Sequence, residues 1–317
     1  MKVPAGSLRL LAYCPTRMTL VRHYDAATAN RGMASYVLPL FGYPALIWRN
    51  RYMIQNFLRR ELMGRFHGSF LGVWWILAQP LFQFAVYFAV FGMIFGNWKF
   101  GDPPDVGFAI YLFSGVIVFH SLLEATTQCC TIVVANGNLV KKVAFPSEVL
   151  VIPTVVTSII LYLVGASVCF LGGWIGGVMA PGPLLLALPL VLLLQMVFTT
   201  GLGLLLANLD VFVRDTSQMW RIVTMAWMFL TPVFWEPNRL IGMFPPEYSA
   251  SIELAAHFNP AHSLLMAHRL VLGLELPLIN LGDFWTHIGF FALWATFFMV
   301  LGYTAFMSRK HKFADLV

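Results

Sequence analysis

The sequence predicts an all-α membrane protein. It has six transmembrane helices, an N-terminal amphipathic interface helix, and an outer re-entrant hairpin between spans five and six. Three observations carry this reading. The 317 residues are 59% hydrophobic and only 11% charged, whereas soluble domains average about 25% charged. Six apolar runs, roughly 71–96, 106–127, 149–177, 184–207, 216–236 and 284–307, reach the ~20 residues that cross a ~30 Å hydrocarbon core as helix. The runs are continuous rather than alternating, which excludes barrel strands. Basic residues are also strongly one-sided. Seventeen of the twenty Lys and Arg fall on the side that holds both ends of the chain, ten of them in residues 1–70. The opposite side holds Lys99, Arg239 and Arg269 beside seven acids. The positive-inside rule then places both termini in the cytoplasm, and an even number of spans satisfies it. The basic excess reads as topology and attraction to anionic membrane lipids, with no nucleic acid implied.

Residues 1–42 are punctuated by Pro4, Pro15, Gly32 and Pro39 and read as a cytoplasmic tail without a cleavable signal peptide. Residues 43–68 read as the interface helix. Leu46, Ile47, Met53, Ile54, Phe57 and Leu58 share one arc, and Arg49, Arg51, Gln55, Asn56, Arg59 and Arg60 occupy the other. Asn50 and Glu61 interrupt the apolar arc. Such a helix lies in the membrane surface, as a lipid anchor or as a docking surface for a cytoplasmic partner.

The transmembrane domain runs over 69–310. Span one carries an aromatic stripe of Phe70, Trp74, Phe84, Phe88, Phe91 and Phe95, and span five carries Trp220, Trp227 and Phe234 with Thr231 between them. These stripes are either packing and lipid-facing surface or the wall of a pathway along which sugar rings slide on flat π-faces. Glu124, with His120 one turn earlier, is the one acid well inside an apolar stretch. It is a structural partner or a transport group, the latter implying a proton-coupled carrier. Between spans two and three, Asn136-Gly137-Asn138 signals a turn and Lys141-Lys142 a cytoplasmic break before Pro146. Gly172/Gly176 and Gly173/Gly177 in span three have the small-xxx-small spacing of closely packed helices. Residues 237–283 form the long outer segment. Its apolar pieces are too short to cross, so they read as the hairpin. Residues 311–317 read as a cytoplasmic C-terminal tail.

No clustered acids or histidines suggest a glycan-modifying enzyme. The histidines show no metal-ligand spacing, with His262 and His268 read as interfacial residues. The four cysteines imply no outer disulfide framework. No Gly-Lys dipeptide occurs, so a phosphate-binding loop ending in Gly-Lys-Ser/Thr is absent.

Four blocks, RELMGRFHGSFLGVWWILAQPLFQFAVYFAVFGMIFG (60–96), NGNLVKKVAFPSEVLVIP (136–153), VFVRDTSQMWRIVTMAWMFLTPVFW (211–235) and NPAHSLLMAHRLVLG (259–273), resemble the ABC-2 type permeases of the polysaccharide and polyol phosphate export family. The resemblance implies a homodimer in the inner membrane, driven by a separate ATP-binding cassette subunit that carries ATP and Mg; this chain itself holds no cofactor and catalyses no reaction. It implies a lipid-linked glycan substrate of O-antigen or capsule type, with teichoic acid as the alternative. By family position, Arg59, Arg60 and Arg65, with Asn138, Leu139, Lys141, Lys142, Phe145 and Pro146, would couple to the ATPase. The aromatic stripes would line the translocation pathway, and Asn259, Pro260 and Arg269 would shape an outer gate. Residues 1–42 lie outside the resemblance.

Overall fold

Backbone groups inside apolar runs must bond within their own segment, and each of the six runs contains a helix. The computed structural model describes residues 37–66, 68, 70, 72–94, 105–142, 146–237, 242–243, 245–274 and 282–317. Residues 1–36 of the tail, Phe95, Phe145, Arg239 and the side chain of Lys142 lie outside the described residues. Two short helices, α1 (Val37–Leu40) and α2 (Tyr43–Arg49), precede α3 (Arg51–Phe66). The chain continues through α4 (Trp75–Ile94), α5 (Val106–Ala135), α6 (Gly137–Lys142), α7 (Val151–Ile175), α8 (Leu188–Phe212) and α9 (Thr216–Leu230). Then α10 (Ser249–His257) and α11 (Pro260–Val271) form a helical hairpin, followed by α12 (Phe284–Arg309) and α13 (Phe313–Leu316).

Among the described residues, five helical segments are long and apolar enough to cross a membrane: 75–92, 106–135, 147–175, 183–212 and 284–316. The sixth predicted run falls short. Its helix, α9, has 15 residues and spans about 22 Å at 1.5 Å per residue. Pro232 explains the stop, because a proline pushes the residue before it out of the helical region and supplies no N–H. Thr231 accordingly sits in extended conformation, with φ −93° and ψ 142°.

Helix α5 is the axis of the bundle and packs against α4, α7, α8, α9 and α11. The most extensive pairing is α8 with α12. There a Cβ built on Gly201 would strike the backbone of Phe298 and Met299, and one on Gly302 the backbone of Gly201. The span-three glycines divide. A Cβ on Gly172 would make only an ordinary contact with Ile110 at 3.7 Å, whereas one on Gly173 or Gly176 would lie 2.7 Å from the side chain of Met179 or Val106. Helix α4 lies at the rim, with Phe82, Val86 and Val90 among its exposed side chains.

The interface segment is two helices, because Asn50 ends the first. Its side-chain amide donates to the Leu46 carbonyl at 2.8 Å and caps that turn. The segment 311–317, read as a tail, folds back on the bundle. Phe313 is fully buried against Phe306, with ring centroids 4.9 Å apart, and α13 packs on α6. At the other end of the bundle the α7–α8 loop meets the end of α11, where Ala180 N–H donates to the Gly273 carbonyl at 3.1 Å. Gly273 has φ +71°, and a Cβ there would collide with the Ala180 carbonyl oxygen, so both conformation and space select glycine.

Candidate functional site

The interface helices are fastened to the bundle at three places. Arg65, in the last turn of α3, forms an ion pair with Glu124 on α5 and another with Glu61 at 3.2 Å, and donates to Gln128 at 2.9 Å. Glu61, which breaks the apolar arc, faces inward because it accepts from the Thr154 hydroxyl on α7 at 3.2 Å. Arg60 reaches Asn136 at the end of α5 at 3.4 Å. Tyr43, buried at the start of α2, donates to the Glu148 carbonyl at 2.8 Å, and the Glu148 carboxylate pairs with Lys310 beyond α12 at 2.5 Å. Burial first, then the Glu148 charge, holds the Tyr43 phenol well above its ordinary range. Arg59 is exposed. In α6, Asn138 and Lys141 are exposed, whereas Leu139 and the following Pro146 are half-buried.

Glu124 therefore has a cationic partner in the structure. With Arg65, Gln79, His120 and Tyr162 it lines a cavity of about 430 Å³ beside Pro80. Glu124→Gln keeps a hydrogen-bond acceptor for Arg65 but removes its charge. We expect a loss of roughly 1–3 kcal/mol, measurable as a lower unfolding midpoint in detergent, with transport still insensitive to the proton gradient. Abolished, gradient-dependent transport in a stable variant would favour the carrier reading instead.

The two aromatic stripes meet. Phe91 on α4 stacks on Phe234 with centroids 4.5 Å apart and planes 15° apart, and Tyr87 adds an edge-on contact to Phe234 at 4.7 Å. Phe84 meets Phe88 at 5.7 Å and Phe113 of α5 at 5.1 Å. Phe234 is buried, whereas Phe70 and Trp74 are exposed. On α9, Trp220 donates to Thr126 at 3.1 Å and meets Trp227 edge-on at 6.1 Å. The opposite side of α9 exposes Met219, Ile222, Met225 and Phe229.

Asn259 joins α9 to the start of α11. It caps α11 by accepting from Ala261 N–H at 3.1 Å, accepts from Trp227 Nε1 at 2.7 Å and donates to Thr231 Oγ1 at 3.0 Å. Pro260, at the first helical position, is buried. Trp227 and Thr231, read from sequence as pathway residues, and Asn259, read as a gate residue, thus form one hydrogen-bonded group.

Arg269, read from sequence as part of an outer gate, is fully buried. Its guanidinium lies over the Tyr111 ring at 3.5 Å. It donates to the Pro232 carbonyl at 2.9 Å, the Tyr111 carbonyl at 3.0 Å and Ser114 Oγ at 3.3 Å. Tyr111 in turn donates to the Trp235 carbonyl at 2.8 Å. One side chain of α11 thereby ties α5 to the irregular segment after α9. Gly115 makes room for it, since a Cβ there would lie 2.7 Å from Arg269 Nη2.

His268, expected at an interface, is likewise buried. Its Nε2 lies 2.9 Å from Gln195 Oε1 and its Nδ1 lies 2.7 Å from Tyr162 Oη. The Gln195 amide donates to Ser121 at 3.3 Å, so the amide oxygen faces His268 and the Nε2–H tautomer follows. This chain of polar side chains links α7, α11, α8 and α5. Sequence reasoning missed it. The one available signal was a glutamine inside an otherwise apolar span.

Several membrane-length helices, an interface helix docked at one end and a helical hairpin packed into the other fit the membrane subunit of a transporter. The chain belongs to the ABC-2 type transporter family, whose model matches residues 52–252. It is 25% identical over 276 residues to the O-antigen export system permease protein RfbA of Myxococcus xanthus, covering 86% of this chain and 97% of that protein. Two proteins of the same description from Klebsiella pneumoniae are 22% and 21% identical, each aligned over 81% of this chain and 92% of theirs.

Proposed function

We propose that this chain is the permease of an ATP-driven exporter that moves a lipid-linked polysaccharide of O-antigen type across the inner membrane. It acts as a homodimer with a separate cytoplasmic ATPase. The observation that carries the reading is the alignment to O-antigen export permeases over nearly their whole length. In this reading both termini are cytoplasmic and α9, continued by residues 231–235, completes a sixth crossing. The α10–α11 hairpin enters the membrane from outside and returns. The apolar side chains exposed on α4 and α9 face the second copy and the substrate, where the aromatic rings let sugar faces slide without strong directional bonds.

Motion enters through the ties described above. An ATPase that closes on ATP presses on α3 and α6. The Arg65–Glu124 pair and the Arg60–Asn136 bond pass that displacement to α5, and Tyr43–Glu148–Lys310 passes it to α12. Rigid helices with charged fasteners transmit a tilt better than a floating lipid anchor does.

Co-expression with its genomic neighbours tests the proposal. A complex should co-purify, and glycan export should require ATP turnover. Charge reversal at Lys141 and Lys142 should weaken ATPase association while membrane insertion is unchanged. Export that persists without an associated ATPase would overturn the reading.

A further inference from the structure

Three histidines from three helices converge at the end of the bundle opposite the interface helices. His257 is the last residue of α10, His262 lies in the first turn of α11 and His287 in the first turn of α12. Along α12, His287 is about 24 Å from Tyr303 at 1.5 Å per residue, and Tyr303 packs against Tyr43 of the interface segment at 5.2 Å. The His257–His262, His257–His287 and His262–His287 ring centroids are 5.5, 5.1 and 5.6 Å apart. One ligand nitrogen from each ring can be chosen so that all three lie within 4.8 Å of one another. All three side chains are buried, and His262 Nδ1 makes no hydrogen bond among the described residues.

We propose that His257, His262 and His287 form a binding site for a divalent transition-metal ion, zinc foremost, that staples the α10–α11 hairpin to the start of α12. Neutral imidazole is the donor that suits zinc, and three protein nitrogens leave the fourth tetrahedral position to water. Zinc–nitrogen bonds of about 2.0–2.1 Å place ligand atoms roughly 3.3 Å apart. Closing on the ion therefore needs imidazole rotations and no change of fold.

The surroundings already orient one ligand. Ser263 Oγ lies 3.0 Å from His257 Nδ1 and holds the plane of that ring. The His257 ring stacks on Phe290 at 4.3 Å, with planes 10° apart. Trp294 Nε1 donates to the His257 carbonyl at 3.1 Å, fixing the end of α10. Partners of this kind set the tautomer and ring direction of a metal-bound histidine. The two near neighbours in sequence, His257 and His262, straddle the Phe258-Asn259 break between helices, and His287 arrives from the next helix. No helical ligand spacing exists for a sequence scan to detect.

The test uses the full chain, purified in detergent without a polyhistidine tag, stripped with chelator and titrated with Zn²⁺ alone. We expect saturable binding of about one zinc per chain and a zinc-dependent rise in the unfolding midpoint. His262→Gln and His287→Gln should each weaken binding at least tenfold, and Ser263→Ala by about tenfold to a hundredfold. His311→Gln, near the C-terminus, should bind as the parent does. Absence of saturable binding in the parent overturns the proposal, whatever the stability of the variants. So does binding that is unchanged in both His262→Gln and His287→Gln.

Discussion

Replacing Arg269 with alanine is expected to abolish recovery of folded protein. The side chain is fully buried and supplies donors to two buried backbone carbonyls and a buried hydroxyl. Without it, the carbonyls of Tyr111 and Pro232 lose a charged donor, at roughly 1–3 kcal/mol for each group left unsatisfied. The loss of the cation–π contact over Tyr111 and of the packed volume adds to that. The sum is comparable with the whole stability of a typical domain, about 5–15 kcal/mol. Arg269→Lys should rescue little, because one ammonium cannot reproduce a planar fork aimed at three acceptors from two directions. Yield of monodisperse protein after extraction and the unfolding midpoint measure the effect. A parent-like midpoint in Arg269→Ala would show that the bonds to α5 and the 231–235 segment contribute little. Because Arg269 joins elements away from the interface helices, any residual folded variant should lose export more than ATPase association.

The class of fold was legible because lipid imposes a coarse rule on composition. Long apolar runs, one-sided basic charge and the Asn259-Pro260 helix start are all local signals. Local chemistry also explains two departures. Pro232 ends α9 before it reaches full span length, and Asn50 divides the interface segment. Glu61 looked like a flaw in an amphipathic pattern, yet it is the group that meets Thr154 and Arg65. What sequence could not show were contacts between distant positions. Arg269 meets the Tyr111 carbonyl 158 residues away, and charge counting alone assigned it to the outside. The same holds for the His257, His262 and His287 cluster and for the polar chain through Gln195. The aromatic stripes were visible as periodicity. Their division between the buried Phe234 and the exposed Trp74 depends on which helices lie alongside.

Glycine spacing gives the second large expected effect, and it separates what periodicity suggested from what packing selects. At the α8–α12 crossing the two backbones touch, so Gly302→Val must force the helices apart. A Cβ at residue 302 meets the Gly201 carbonyl and the Leu205 amide nitrogen, which are backbone atoms that cannot rotate away. Overpacking of this kind costs typically 1–3 kcal/mol and more where nothing can yield. In lipid the lost contacts have no hydrophobic drive to replace them, since helix association there rests on close packing. Gly302→Ala should already lower the unfolding midpoint, and Gly302→Val should lower it further. Gly172→Ala, in the small-xxx-small run of α7, should leave it within the range of the parent, because its added methyl meets only the tip of Ile110 at an ordinary distance. The reverse order of sensitivity would move the tight crossing to α7. The consequence reaches beyond stability. Helix α12 carries the Lys310 end that holds Glu148 and the His287 end that meets His257 of α10. A helix displaced at Gly302 would shift both ends together, so export should fall in Gly302→Ala even where the protein still inserts and folds.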